Sequence, residues 1–444
     1  MIHIRALRNK AALRETAPSI LLVFNSFVWY IFTYTVFSGI VNGLSLLETE
    51  KLGLFATYYV GVAVSAILGA KFFPRARTRS LDVWLFMGAI ATFLLTTVSV
   101  GGVLTDALLA LFFGISLGIG LPSCLSYFAD STSVENRGFT SGIIWSAVGF
   151  TVVIFGLLMN ALGQWEALVV LTIWRLFGGI GFLLLNRKHA KPVAQKSPSY
   201  LEVTRKRQIL LYLFPWVLFS IMNFAEAPIL EGVFGAESFA FAQFAEWGLV
   251  GIVAIIGGVI ADITGRKRVV IAGFVMLGIE YAAMSVFSNS PATLYLFVIL
   301  DGITWGLLVT VFFTVIWGDL GENFEKEKYY TLGGLPYILS NFLYVLIKPY
   351  VGDISITAAF SFASFFLFLA VIPLMYAPET LPEKTMKDRE LKSYLEKAQK
   401  VAQKEAEKSQ KKHPDKAEKE NEKGKEPEET PEDTEARKLA EKYY

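Results

Sequence analysis

Apolar runs of about 20 residues, separated by short polar turns, recur along most of this chain, and a run of that length crosses the roughly 30 Å hydrocarbon core of a bilayer as a helix. They fall at about 18–44, 52–70, 82–103, 106–128, 139–160, 166–186, 209–230, 241–261, 269–288, 291–317, 332–350 and 356–376. With 54% hydrophobic residues and a mean hydropathy of +0.48 in spite of a highly charged C-terminus, the 444-residue chain lacks the polar surface of a soluble protein. An unpaired backbone cannot sit in lipid, so every run is expected to be helical. The expectation is an all-α membrane protein with twelve transmembrane helices.

The first run is too long for the core of a signal peptide and no cleavage site follows it, so it counts as a span. Direction follows from the bases. With a cytoplasmic N-terminus, 21 Lys and Arg before the tail lie in inside segments, and only Lys51 and Lys348 lie in outside loops. Such a bias places both termini in the cytoplasm of a multi-pass protein of the cell membrane.

The longest internal polar stretch, "NRKHAKPVAQKSPSYLEVTRKRQ", divides six spans from six. The expected layout is a cytoplasmic N-terminus (1–17), a six-helix bundle (18–186), a basic central loop (187–208), a second six-helix bundle (209–376) and a cytoplasmic tail (377–444). The loop suits anionic headgroups. In the tail, "KSYLEKAQKVAQKEAEKSQKK" has the opposite charges, three or four apart, of a solvated helix. "HPDKAEKENEKGKEPEETPED" is too poor in apolar residues to fold. This tail reads as solvating, with an unknown protein partner as the alternative.

Several chemistries find no support. Cys124, the single cysteine, sits in an apolar run, and His3, His189 and His413 lie outside the runs, so no metal site, cofactor or disulfide framework is expected. There is no nucleophile pair and no Gly-rich nucleotide loop. An enzyme, an ATP-driven pump and a nucleic-acid partner are therefore not expected.

The most specific motif is "GGVIADITGRKRVV", the turn between spans 8 and 9. Gly265 permits a tight turn with positive φ, and Gly258 allows close approach of a neighbouring helix. Asp262 is placed to accept hydrogen bonds from another helix's N-terminus. Six spans earlier "GAKFFPRARTR" keeps Gly69 and Arg77 in the frame of Gly258 and Arg266, with Phe73 and Ala76 where Asp262 and Gly265 stand. A six-span repeat is the signature of a transporter built from two related halves.

Twelve spans, the six-plus-six division, the basic central loop and the "GVIADITGRKR" turn together resemble the major facilitator superfamily. The turn "DSTSVENRGFTSG" after span 4, with Asp130, Glu135, Arg137, Gly138 and Gly142, is similar to that family's turn ahead of span 5. Two departures stand out. The turn motif is better kept in the second half than in the first, the reverse of the family's habit. The Gly-Pro pattern that many of its drug antiporters carry in span 5 is missing, which tells against drug export. The resemblance implies two pseudo-symmetric bundles, with spans 1, 4, 7 and 10 lining a cavity and spans 3, 6, 9 and 12 peripheral. It also implies a conformational latch in which Gly258, Asp262, Gly265 and Arg266 meet Asp130 and Arg137 at the start of span 5. Lys267 and Arg268 read as headgroup anchors.

Ionisable residues at membrane depth are costly and usually functional. The first six spans hold one, Arg175, and the last six hold Glu226, Glu246, Glu280 and Asp301. Arg175, Glu280 and Asp301 fall near the midplane, so Arg175 needs a carboxylate from the other half, a buried water or an anionic substrate. The family plan instead puts Arg175 and Glu280 at the periphery, and the two lines of reasoning conflict there. Glu231 falls at the outer surface. Polar stripes add Ser26, Tyr30 and Tyr34 with Asn25 alongside, then Asn223, and Tyr337, Asn341 and Tyr344. Gly114, Gly118 and Pro122 make span 4 pliable ahead of Ser123 and Ser126.

These residues form the expected substrate and ion pathway of a secondary active transporter that moves a small solute by alternating access. A proton carried by Asp301 or Glu226 is the expected drive. The alternative is a non-transporting membrane sensor or scaffold acting through its tail.

Overall fold

The computed structural model describes residues 10–98, 100–185, 197–288, 290 and 292–382, with 391, 395 and 399 beyond them. The first nine residues, the basic loop over 186–196 and nearly all of the tail expected from 377 lie outside the described residues. The chain divides into units 1–383 and 384–444, and the first holds all the apolar helices.

The described residues carry no β-strand. Spans 1 to 6 are Lys10–Gly43, Glu48–Phe72, Arg77–Leu94, Val103–Gly118 continued as Leu121–Asp130, Arg137–Asn160 and Gln164–Leu185. A short helix, Tyr200–Thr204, precedes span 7, Arg207–Phe234. Spans 8, 9, 11 and 12 are Ala236–Thr264, Arg266–Phe287, Glu327–Ile347 and Ile356–Tyr376. Span 10 starts as Ala292–Leu307, widens to a π-helix over Leu308–Ile316 and ends as Trp317–Leu320. Eleven stretches are long and apolar enough to cross a membrane. One of them, the 50-residue Glu48–Thr97, is spans 2 and 3 joined by the 3-10 turn Phe73–Ala76. Among the described residues the membrane-spanning helices therefore number twelve.

The two halves are in register. Arg266 stands 189 residues after Arg77 (266 less 77), and the same shift carries the start of each of spans 2 to 6 to within about three residues of the start of spans 8 to 12. The halves meet mainly where span 5 packs on span 8 and where span 2 packs on span 11, two contacts that this shift interchanges. At the first of these, a Cβ on Gly258 would come within 2.2 Å of the Gly138 carbonyl oxygen. Only glycine allows backbones that close.

One boundary differs from expectation. Span 11 starts at Glu327 rather than near 332, with Glu327 itself fully buried. Lys267, expected as a headgroup anchor, instead reaches the Ala377 carbonyl at 3.0 Å and that of Met375 at 3.3 Å, beside the end of span 12. In return Glu379 accepts the N–H of Arg266 at 2.8 Å and of Lys267 at 3.2 Å. The first amides of span 9, which have no partner inside their own helix, are thereby satisfied.

Candidate functional site

The turn between spans 8 and 9 closes through Gly265, whose φ is 105°. It presents Asp262 one helical turn before Arg266, both fully buried. The Asp262 carboxylate accepts the N–H of Gly138 at 3.0 Å and of Phe139 at 2.8 Å. These are among the free amides that open span 5, where the helix dipole favours an anion. Asp262 also pairs with Arg266 at 2.9 Å. Arg266 extends to Asp319 at 3.2 Å and donates to the Val134 carbonyl of the other half at 2.5 Å.

Asp319 receives Arg137 from span 5 as well, and Arg137 also meets Glu322 at 3.1 Å. On the first-half side Arg77 pairs with Asp130 at 2.5 Å and crosses to Glu327 at 2.6 Å, while Lys326 pairs with Asp130 at 2.6 Å. Moved by the repeat shift, Asp130 and Arg137 fall on Asp319 and Lys326. Each of these two bases binds the acid of the opposite half, so the ion pairs are exchanged reciprocally. Sequence reasoning named Gly258, Asp262, Gly265, Arg266, Asp130 and Arg137 but missed Asp319, Lys326 and Glu327. The repeat shift, continued into the turn after span 10, would have found Asp319 and Lys326, but it sets Glu327 on Gly138 and gives no signal there.

The second feature is a cavity of about 160 Å³ inside the second half, lined by Asn223, Glu246, Trp247, Tyr281, Asp301 and Trp305 among others. Asp301 is only 4% exposed, and neither its Oδ1 nor Oε1 of Glu246 receives a hydrogen bond from any described donor. The Asp301 and Glu246 carboxyls lie within hydrogen-bonding reach of each other, a contact that requires a proton on one of them, and Trp305 is directed at Asp301. Glu280 is fully buried nearby with neither oxygen bonded. Glu226 is buried close to Tyr281 but does not line the cavity.

The remaining pathway candidates lie elsewhere. Arg175 is fully buried in the first half, its guanidinium 4.2 Å from the Trp29 ring and 4.4 Å from the Trp84 ring. It donates to Asn25 at 3.2 Å and Ser26 at 2.8 Å, and no described carboxylate meets it. Two aromatic faces, each worth about 2 kcal/mol when desolvated, stand where a carboxylate of the other half was expected, and its Nε and Nη2 have no partner among the described residues. Tyr30 reaches Asn341 across the interface between halves, and Tyr34 bonds Tyr59 at 2.6 Å. Tyr344 turns away to Glu231, which also holds Lys348 at 3.0 Å. Of the sequence candidates, then, the structure gathers Asn223, Glu246 and Asp301 around one cavity with Glu280 behind them. Ser26, Tyr30, Tyr34, Arg175 and Asn341 belong to the first half and its interface.

Twelve helices in two registered halves, with exchanged ion pairs and a buried polar cavity, define a multi-pass membrane transporter. Residues 18–316 match the Major Facilitator Superfamily, and the chain belongs to that superfamily. Its fold is similar to that of the human organic anion transporter MFSD10 (TETRAN), with a TM-score of 0.60 and 15% sequence identity over 82% of this chain and 99% of that one. No curated protein matches the chain in sequence.

Proposed function

We propose that this membrane transporter is secondary active, moves a small solute by alternating access and couples that movement to protons. The observation that carries the reading is the placement of the ion pairs between halves. Among the described residues, Arg77–Glu327, Arg137–Asp319, Arg137–Glu322 and Lys326–Asp130 all gather at the end that bears the basic turns. Pairs confined to one end can open without dissolving either bundle, which is what rocking of two rigid bodies needs. The bias of bases toward this end makes it the cytoplasmic face of the cell membrane, with both termini there and the two bundles at 18–186 and 209–376. In this reading the network is a latch that holds the cytoplasmic side shut.

Proton coupling is supported by carboxyls that face each other without a base between them. Asp301 and Glu226 are the first candidates for carrier, and Glu246 joins them because it faces Asp301. The neighbouring fold belongs to a protein named for organic anions, but a likeness at 15% identity carries no substrate across.

Spin labels at Ser133→Cys and Asn323→Cys, in a Cys124→Ala background, measure the latch directly because these exposed positions lie on opposite halves. Asp262→Asn removes a charge–dipole contact that only the closed state makes, so the longer-distance population should grow by about 3-fold to 10-fold. One distance population, the same in wild type and variant, would sink alternating access. The coupling is tested separately in proteoliposomes. Asp301→Asn or Glu226→Gln should abolish accumulation driven by a pH difference yet leave downhill solute exchange measurable at saturating solute. If both variants still accumulate solute, neither residue carries the proton.

A further inference from the structure

The repeat shift gives each second-half acid a first-half counterpart. Glu226, Glu246, Glu280 and Asp301 fall on Phe37, Thr57, Ala91 and Phe112. None of the four is acidic. Gly302, beside Asp301, falls on Phe113, whose ring stacks on Tyr58 with centroids 5.1 Å apart and meets Phe37 at 5.4 Å. The region that aromatic rings fill in the first half is therefore hollow and acidic in the second. Most of the cavity wall is apolar, as in a packing defect, but a chance defect would not gather unbonded carboxyl oxygens.

The walls restrict the occupant. Asp301, nine-tenths buried or more, lines the cavity with a free oxygen, and Glu246 opposite it does the same. No described lysine or arginine contacts either one, and the midspan Arg175 is held between tryptophans in the other half. An anion entering here would meet carboxyls and ring faces, both of which repel it. A cation would meet the charges it needs, with Trp247, Trp305 and Tyr281 able to face its positive end. Among the described residues no three acids stand close enough to hold a metal ion. The volume of about 160 Å³ is that of a site for one benzene-sized ring.

We infer that this cavity binds a small organic cation, a protonated amine on a body no larger than one aromatic ring, held by Asp301 and Glu246. As a transport substrate it rests on the transporter reading above, but its binding is measurable alone. The probes are 2-phenylethylamine, its neutral analogue 2-phenylethanol and the anion phenylacetate, titrated calorimetrically into the full chain in nanodiscs at pH 7.5. The amine should bind at least 10-fold more tightly than either analogue. Asp301→Asn should weaken the amine at least 10-fold and remove most of its preference over 2-phenylethanol. Glu246→Gln, a second conservative change, should do the same to a lesser degree, with unfolding temperature and elution volume reporting the fold of both.

Phenylacetate binding as tightly as the amine, no binding of the amine at millimolar concentration, or unaltered selectivity in two folded variants would each overturn the inference. Amine binding without flux in proteoliposomes would leave the ligand class standing and remove the transport reading. Phenylacetate flux without amine binding would do the opposite.

Discussion

The two halves share one helix plan and spend their buried polar groups differently. The first half places its one deep charge, Arg175, between Trp29 and Trp84 and packs Phe37, Tyr58 and Phe113 into a continuous aromatic core. The second half leaves the corresponding region hollow and lines it with Glu246 and Asp301. Spans 4 and 10, related by the repeat, depart from regular helix in separate ways. Span 4 breaks between Gly118 and Leu121, whereas span 10 keeps its course and widens into the π stretch Leu308–Ile316. That stretch is held from the first half, where Ser141 donates to the Thr310 carbonyl at 2.8 Å and Trp145 to the Thr314 hydroxyl at 2.7 Å. The repeat supplies two equivalent helix plans; burial chemistry then fills one and leaves a cavity in the other.

The sharpest break of this comparison lies in the ion-pair network that joins the halves. Asp319 is shut from solvent and serves two fully buried arginines, Arg137 and Arg266. Its counterpart Asp130 serves Arg77 and Lys326 with a quarter of its side chain exposed. Removing the acid from a buried pair leaves an uncompensated charge and costs about 3–5 kcal/mol. Asp319→Ala should reach the upper end of that range, or prevent folding altogether. Asp130→Ala should cost less, about 1–2 kcal/mol, because water already reaches the acid and Arg77 keeps Glu327 as a partner. Unfolding curves of the two variants in one detergent decide the matter, and equal losses would mean that the two acids of the network are equivalent.

The packed and hollow regions give the next test. Phe113→Ala opens a void among rings that cannot collapse. With lipid in place of water as the outer solvent, the loss is mostly of packing, about 2–4 kcal/mol. Phe297→Ala only enlarges a cavity that Phe297 already borders, so it should cost about half as much. A larger loss at Phe297 than at Phe113 would show that the second-half cavity is held open by tight packing around it.

Twelve helices were legible because lipid leaves the backbone no alternative, and the turn containing Asp262 was legible because its glycines and charges sit at fixed spacing. The start of span 11 was not. Glu327 and its neighbouring lysines look like a loop until Arg77, 250 positions away, neutralises the first turn. The π winding of "LVTVFFTVI" leaves no mark in composition, since Ser141, Trp145 and Tyr330 fix it from other helices. The surroundings of Arg175 were hidden for the same reason: Trp29 and Trp84 come from spans 1 and 3 and are joined to it only in three dimensions. Depth along a span could be read for each acid, but which of them would share a cavity depended on helix rotation.

The smallest expected effect concerns the turn that departs from the pattern. In the second half the acid sits on the turn, as Asp262, and faces Gly138 at the start of span 5. In the first half the turn carries Phe73, and the acid sits on the facing helix, as Glu327 where the shift places Gly138. Arg77 meets that acid from the turn side at 2.7 Å. The charge has changed sides while the contact between turn and helix start has been kept. Phe73→Asp alone should destabilise, since a second carboxylate then crowds Glu327 and Asp130. Glu327→Gly alone should destabilise as well, because Arg77 loses a buried partner. The double variant Phe73→Asp/Glu327→Gly rebuilds the second-half arrangement in the first half, with an acid on the turn facing the free amides of a helix start. A double-mutant cycle on unfolding free energies should therefore give a favourable coupling of about 1–2 kcal/mol. Simple additivity would mean that the two turns resemble each other only in sequence, and that Glu327 is an ion-pair partner of Arg77 and no substitute for Asp262.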